Sequence, residues 1–70
     1  MKEELLNEKQ AAVVVGMSIH WLRRKRWEGG GPRFCKLGSG SRAAVRYIAA
    51  DLTDFINSHR KSSTSEYGTA

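Results

Sequence analysis

The run Asn7-Glu8-Lys9-Gln10-Ala11-Ala12-Val13-Val14-Val15-Gly16-Met17-Ser18-Ile19-His20-Trp21-Leu22 holds two helix starts separated by one helix stop. Asn7 is a strong N-cap residue, Glu8 puts an acid in the first turn, and Gln10 stands where a capping box needs it. These signals predict a helix over Glu8–Val15, with Ala11, Ala12, Val14 and Val15 as its apolar stripe. Gly16 accepts the left-handed conformation that closes a helix. Ser18 is a second N-cap, so a second helix is expected from Ile19 to about Trp27. Two short helices joined by a tight glycine turn, with small Ala12 at the crossing, form a helix-turn-helix candidate.

Outward from this run the pattern changes. Glu28-Gly29-Gly30-Gly31-Pro32 cannot continue a helix, because three glycines cost backbone entropy and Pro32 lacks an N–H donor. Arg33–Leu37 and Ala44–Tyr47 are β-like segments on either side of Gly38-Ser39-Gly40-Ser41-Arg42-Ala43, which predicts a hairpin. A third helix fits Ala49 to about His59, with Leu52, Phe55 and Ile56 on its core face and Asp51 and Asp54 towards its positive N-terminal end. The expected fold class is α+β, mainly α, as a winged helix-turn-helix: two N-terminal helices, a two-stranded hairpin wing and a C-terminal helix. Residues 1–6 are expected as an N-terminal arm, 7–60 as the domain and 61–70 as a disordered tail. Leu22 is expected as the core anchor of the second helix, with Trp21 and Trp27 packing at the edges of the core.

The 70 residues carry 12 Lys and Arg against 7 Asp and Glu, a net charge of +5. The excess is local. Between Ser18 and Arg46 eight basic residues face the single acid Glu28, whereas the remainder of the chain is net acidic. A solvated surface usually mixes signs, so this segregation reads as a footprint for a polyanion. No apolar run approaches the length of a membrane span, and no signal-peptide pattern heads the sequence. One cysteine, Cys35, excludes an internal disulfide and suits a cytosolic setting. Cys35, His20 and His59 do not make a zinc set at usual spacing, no nucleophile–base–orienter group is evident, and the glycine run lacks the Lys-Ser/Thr of a phosphate loop. No enzyme activity, metal or cofactor is therefore expected.

The residues that would read a polyanion lie on the second helix and the hairpin. Ser18, His20, Arg23 and Arg24 are expected on the outer face of the second helix, where Arg can grip guanine or phosphate. Four consecutive basic residues cannot share one helix face, so Lys25 and Arg26 are secondary candidates, with Arg26 a partner for Glu8 or Glu28. On the hairpin the candidates are Lys36, Ser41, Arg42 and Arg46, with Arg42 at the tip suited to a narrow minor groove. Arg33 is a further secondary candidate. The bland alternatives are an exposed histidine, a mobile loop charge, and charges that protect an edge strand.

Leu6–Ala12, Gly16-Met17-Ser18, Trp21-Leu22, Gly29–Phe34, Lys36-Leu37-Gly38, Val45-Arg46-Tyr47 and Asp51-Leu52 with Phe55-Ile56, in this order, resemble the small winged-helix proteins of the AlpA and excisionase (Xis) group within the MerR-like superfamily. The resemblance covers roughly residues 5–60. It implies double-stranded DNA as partner, with the second helix in the major groove and the wing at an adjacent minor groove or backbone. It also implies a role in a phage, prophage or other mobile element, as an excision factor in DNA recombination or as a transcriptional regulator. An integrase or RNA polymerase is an implied protein partner, and several copies are expected to self-associate on DNA. The expected location is the cytoplasm, at the nucleoid. The competing reading is a protein-interaction adaptor that docks on a recombinase or polymerase through the same fold.

Overall fold

The structure, a computed structural model, describes residues 4–62 apart from the side chain of Arg42. The first three residues of the expected arm and residues 63–70 of the expected tail lie outside the described residues. The elements are β1 (Leu5–Leu6), α1 (Glu8–Val15), α2 (Ile19–Glu28), β2 (Cys35–Leu37), β3 (Ala44–Ile48) and α3 (Ala49–Ser58), with a short 3-10 turn at Gly40–Arg42.

The helix boundaries follow their local chemistry. Asn7 and Gln10 close a reciprocal capping box: the Gln10 N–H donates to the Asn7 side chain at 2.8 Å and the Asn7 N–H donates to the Gln10 side chain at 2.9 Å. Gly16 ends α1 at φ 72°, and the Met17 N–H returns to the Ala12 carbonyl at 3.0 Å. Ser18 then caps α2 by accepting from the Trp21 N–H at 3.0 Å. Gly31 permits the return of the chain past α2, since a Cβ there would lie 2.6 Å from the Cβ of Lys25.

The fold is α+β, as expected, with an addition. The two expected strands form an antiparallel hairpin through Cys35↔Arg46, Lys36↔Val45 and Leu37↔Ala44. A third strand joins them: Leu5 pairs with Ile48 and Leu6 with Tyr47, giving the order β1-β3-β2. Leu5–Leu6, read from the sequence as part of an arm, is therefore structural. The Ala49 N–H also donates to the Glu4 carbonyl at 2.9 Å, which ties the start of α3 to this strand.

The core is Leu6, Ala11, Ala12, Leu22, Tyr47 and Leu52, with Val15, Ile19, Trp21, Val45 and Ala49 packed around it. Full burial of Leu22 and of Leu52 contributes about 1.5–3 kcal/mol each. The two alanines of α1 allow α2 and α3 to approach closely.

Three expectations about packing are corrected. Val14 is exposed, because α1 buries Ala11 and Ala12, packs a partly buried Val15 beside them and turns Val13 and Val14 outward. Ile56 is exposed at the rim, while Leu52 one turn earlier takes the centre. Trp27 is 89% exposed rather than packed at the core edge. The reason is helix phase: with Leu22 pointing inward, the residue one turn later on that face is Arg26, and Trp27 is carried round to solvent.

Candidate nucleic-acid interface

Arg26 reaches inward because it has polar partners there. Its Nη1 donates to the Tyr47 hydroxyl at 2.9 Å, and its guanidinium lies 5.8 Å from the centre of the Phe34 ring. Its Nη2 lies 2.7 Å from Glu8 Oε2. Tyr47 is a fully buried residue of β3, so this hydrogen bond satisfies a polar group at the edge of the core.

Glu8 also holds Arg23. Arg23 Nη2 donates to Glu8 Oε1 at 3.0 Å and Arg23 Nε donates to Oε2 at 3.2 Å. One carboxylate at the start of α1 thus holds two guanidiniums of α2. The hydrogen bond from Arg23 is the main cause holding the Glu8 carboxyl below its ordinary range; partial burial opposes it, and Arg26 reinforces it. The Arg23 guanidinium is pushed up by the same hydrogen bond. For Arg26, burial pulls downward, but the hydrogen bonds to Tyr47 and Glu8 outweigh it and the net direction is up.

These contacts sit in a groove between α2 and the hairpin. Its near part is lined by Glu8, Lys9, Arg23, Arg26, Ser41 and Arg46, and its far part by Arg23, Arg26, Trp27, Phe34, Lys36 and Ser41. Glu8 is the sole acid among these described lining residues. Arg46 donates from Nη1 to the Val45 carbonyl at 2.8 Å, which folds its side chain along the strand. Arg23, Arg26, Lys36, Ser41 and Arg46 are therefore brought together.

Ser18, His20 and Arg24 form a separate exposed group around the first turns of α2, beside Trp21. No ion pair among the described residues involves Arg24. Lys25 faces elsewhere: its Nζ lies 5.7 Å from the centre of the Trp21 ring and 3.9 Å from Glu28. Arg33 lines a depression with Asp51 and Asp54 of α3, apart from both groups. The backbone of Arg42 belongs to the 3-10 turn of the hairpin, and its side chain lies outside the described part.

Two features of this groove were missed in the sequence. Glu8 is visible there as a partner for Arg26, but nothing local marks it as a partner for Arg23 as well. Tyr47 reads as a strand residue, with no signal that its hydroxyl anchors Arg26. Among the described residues no group of His, Cys, Asp or Glu could hold a metal ion, and no helix is long and apolar enough to cross a membrane. No protein-family profile, curated protein or solved structure matches the chain.

Proposed function

We propose that this chain is a sequence-specific double-stranded DNA-binding protein with a winged helix-turn-helix architecture. In this reading α1 and α2 are the helix-turn-helix, α2 enters a major groove, and the β2–β3 hairpin is the wing. The observation that carries the reading is the groove between α2 and the hairpin. It gathers Arg23, Arg26, Lys36 and Arg46 on one surface with a single acid among the described lining residues. Ser18, His20 and Arg24 contact base edges, while Lys36, Ser41, Arg42 and Arg46 hold the backbone or the adjacent minor groove.

The resemblance to AlpA and excisionase proteins narrows the role to a mobile element, as an excision factor or a transcriptional regulator at the nucleoid. One small module makes few base contacts, so useful affinity comes from several copies on neighbouring sites. Bending of the DNA is then a natural output.

The test is a gel-shift titration on DNA upstream of the gene and at the nearest attachment site, at two salt concentrations, against random competitor. Contact with about five phosphates predicts a log–log salt slope of roughly −4 to −5. A discrete shift that survives competitor supports the reading, and a ladder of bands supports cooperative loading. A smear that vanishes with salt defeats it.

A second reading, a docking adaptor for a recombinase or polymerase, is favoured by one observation. A more apolar groove lies between the helices, lined by Val15, Met17, Trp21, Phe55 and Ile56 among others. Under that reading, partner binding survives Arg23→Ala with Arg24→Ala and is lost on Ile56→Asp.

A further inference from the structure

A guanidinium carries five N–H donors in one plane, arranged along distinct edges. Arg23 commits the edge formed by Nε and Nη2 to the two oxygens of Glu8, at 3.2 and 3.0 Å. The edge formed by Nη1 and the second Nη2 hydrogen has no partner among the described residues, and the Arg23 side chain is 56% exposed. Glu8 is itself fixed, because its Oε2 also takes Arg26 at 2.7 Å, and Arg26 is tied to the buried Tyr47 hydroxyl at 2.9 Å. A continuous series of polar contacts, hydrogen bonds at either end and an ion pair between Arg26 and Glu8, thus runs from the core to the outward edge of Arg23.

The surroundings of that edge favour an anion over a neutral base. Arg23 lines both parts of the groove, with Ser41 and Arg46 on one side and Lys36 on the other. Two guanidiniums and one carboxylate leave one net positive charge, which one phosphate neutralises. A planar fork with two parallel N–H bonds fits the paired oxygens of a phosphate.

We infer that Glu8 is a positioning residue which presents the outer edge of Arg23 to one backbone phosphate of the DNA strand passing between α2 and the hairpin. This inference rests on the DNA-binding reading and assigns Arg23 to the backbone rather than to guanine. Glu8, although an acid facing a polyanion, strengthens binding because it fixes the guanidinium before the DNA arrives, which reduces the ordering cost of binding.

The sign of one substitution tests this. The probes are a duplex recovered by the wild-type chain from a random-sequence pool and a duplex of the unselected pool. If Glu8 were only a repelling charge, Glu8→Gln would tighten binding to both duplexes and steepen the salt dependence. The positioning role predicts the opposite: Glu8→Gln weakens binding to both by about ten-fold and makes the salt slope shallower by about 1.

In an Arg23→Ala background the weakening disappears and Glu8→Gln tightens binding instead. Circular dichroism confirms that each variant is folded at the assay temperature. Arg23→Lys keeps the charge without the fork, lies on an exposed side chain, and is expected to lose nearly as much as Arg23→Ala. Tighter binding by Glu8→Gln alone overturns the inference, as does full activity of Arg23→Lys. Loss of discrimination at one base pair with an unchanged salt slope overturns the phosphate assignment. If Arg24→Ala and Lys36→Ala also leave binding unchanged, the DNA-binding reading falls and takes this inference with it.

Discussion

α2 holds its cations in two different ways. On the side facing the hairpin, Arg23 is fixed by two charged hydrogen bonds to Glu8 and Arg26 by an ion pair with the same carboxylate, and Arg26 is anchored further by Tyr47. On the side facing α3, Lys25 rests over the Trp21 ring, and that ring in turn meets Phe55 edge-on at 6.3 Å between centres. The first side is a rigid polar lattice and the second is aliphatic and aromatic packing with a charge at its rim. A flexible ammonium over a ring can rearrange with little loss, whereas a guanidinium held at two of its nitrogens cannot. The helix therefore presents a preorganised face towards the hairpin and an adaptable one towards α3.

Both sides hang from Leu22, so the strongest way to break the comparison is to remove that residue. Leu22 is completely buried between them. Leu22→Ala should cost about 3 kcal/mol, most of what a domain this small has in reserve. A thermal melt followed by circular dichroism should show a largely unfolded variant. A melt displaced by only a few degrees would show that the two sides are supported separately.

The next test separates the two sides. Arg26→Ala leaves the buried Tyr47 hydroxyl without its donor and takes one of the two cations from Glu8, at an expected cost of about 2 kcal/mol. Lys25→Ala removes an ion pair at 3.9 Å and a cation–ring contact at a half-exposed site, and should cost less than about 1 kcal/mol. Urea titration of both variants gives the two values. Equal losses would remove the distinction between a fixed and an adaptable side.

A smaller effect follows from acid. Glu8 is held below its ordinary carboxylate range mainly by Arg23. A carboxyl depressed in the folded state stabilises the fold at pH above its unfolded value, and this contribution fades as pH falls through the depressed folded value. Stability should therefore decline on the acid side in wild type and decline less steeply in Glu8→Gln. Added salt should shrink the difference, because Arg23 is open to solvent and Glu8 is only partly buried. Acid titrations that superimpose would mean the Glu8 pairs add nothing to folding.

The same contrast explains what could be read from the sequence. Asn7, Gln10, Gly16 and Ser18 act within a turn of their own positions, so both boundaries of α1 and the start of α2 were legible. The hairpin was legible from its Gly and Ser linker. β1 was not, because two leucines carry no alternation and their partners, Tyr47 and Ile48, lie near the other end of the domain. The Glu8 network was half legible. Charge complementarity suggested Arg26, but only the crossing of α1 over α2 brings Arg23 to the same carboxylate. Arg33 reads as one more cation in a basic stretch, and the fold turns it towards Asp51 and Asp54 instead.

The two tryptophans of α2 give the smallest expected change in stability and the sharpest contrast. Trp21 is half-buried, packs against the core and touches Phe55. Trp27, six residues later on the same helix, is 89% exposed in the groove with Phe34 and Lys36. A side chain this exposed in the free chain adds little to its folding, so Trp27→Ala should alter stability by no more than about 0.5 kcal/mol. Trp21→Phe serves as the reporter background, leaving Trp27 as the single tryptophan. Its emission should be that of a solvated indole in the free chain and, under the proposed DNA-binding function, should shift or quench when a duplex fills the groove. An emission already blue-shifted without DNA would place Trp27 in the core, and the inward position assigned to Arg26 would then fail with it. An exposed indole that stays unchanged through full DNA binding would instead put the duplex on the Ser18, His20 and Arg24 end of α2 alone, and would separate that end of the helix from the groove.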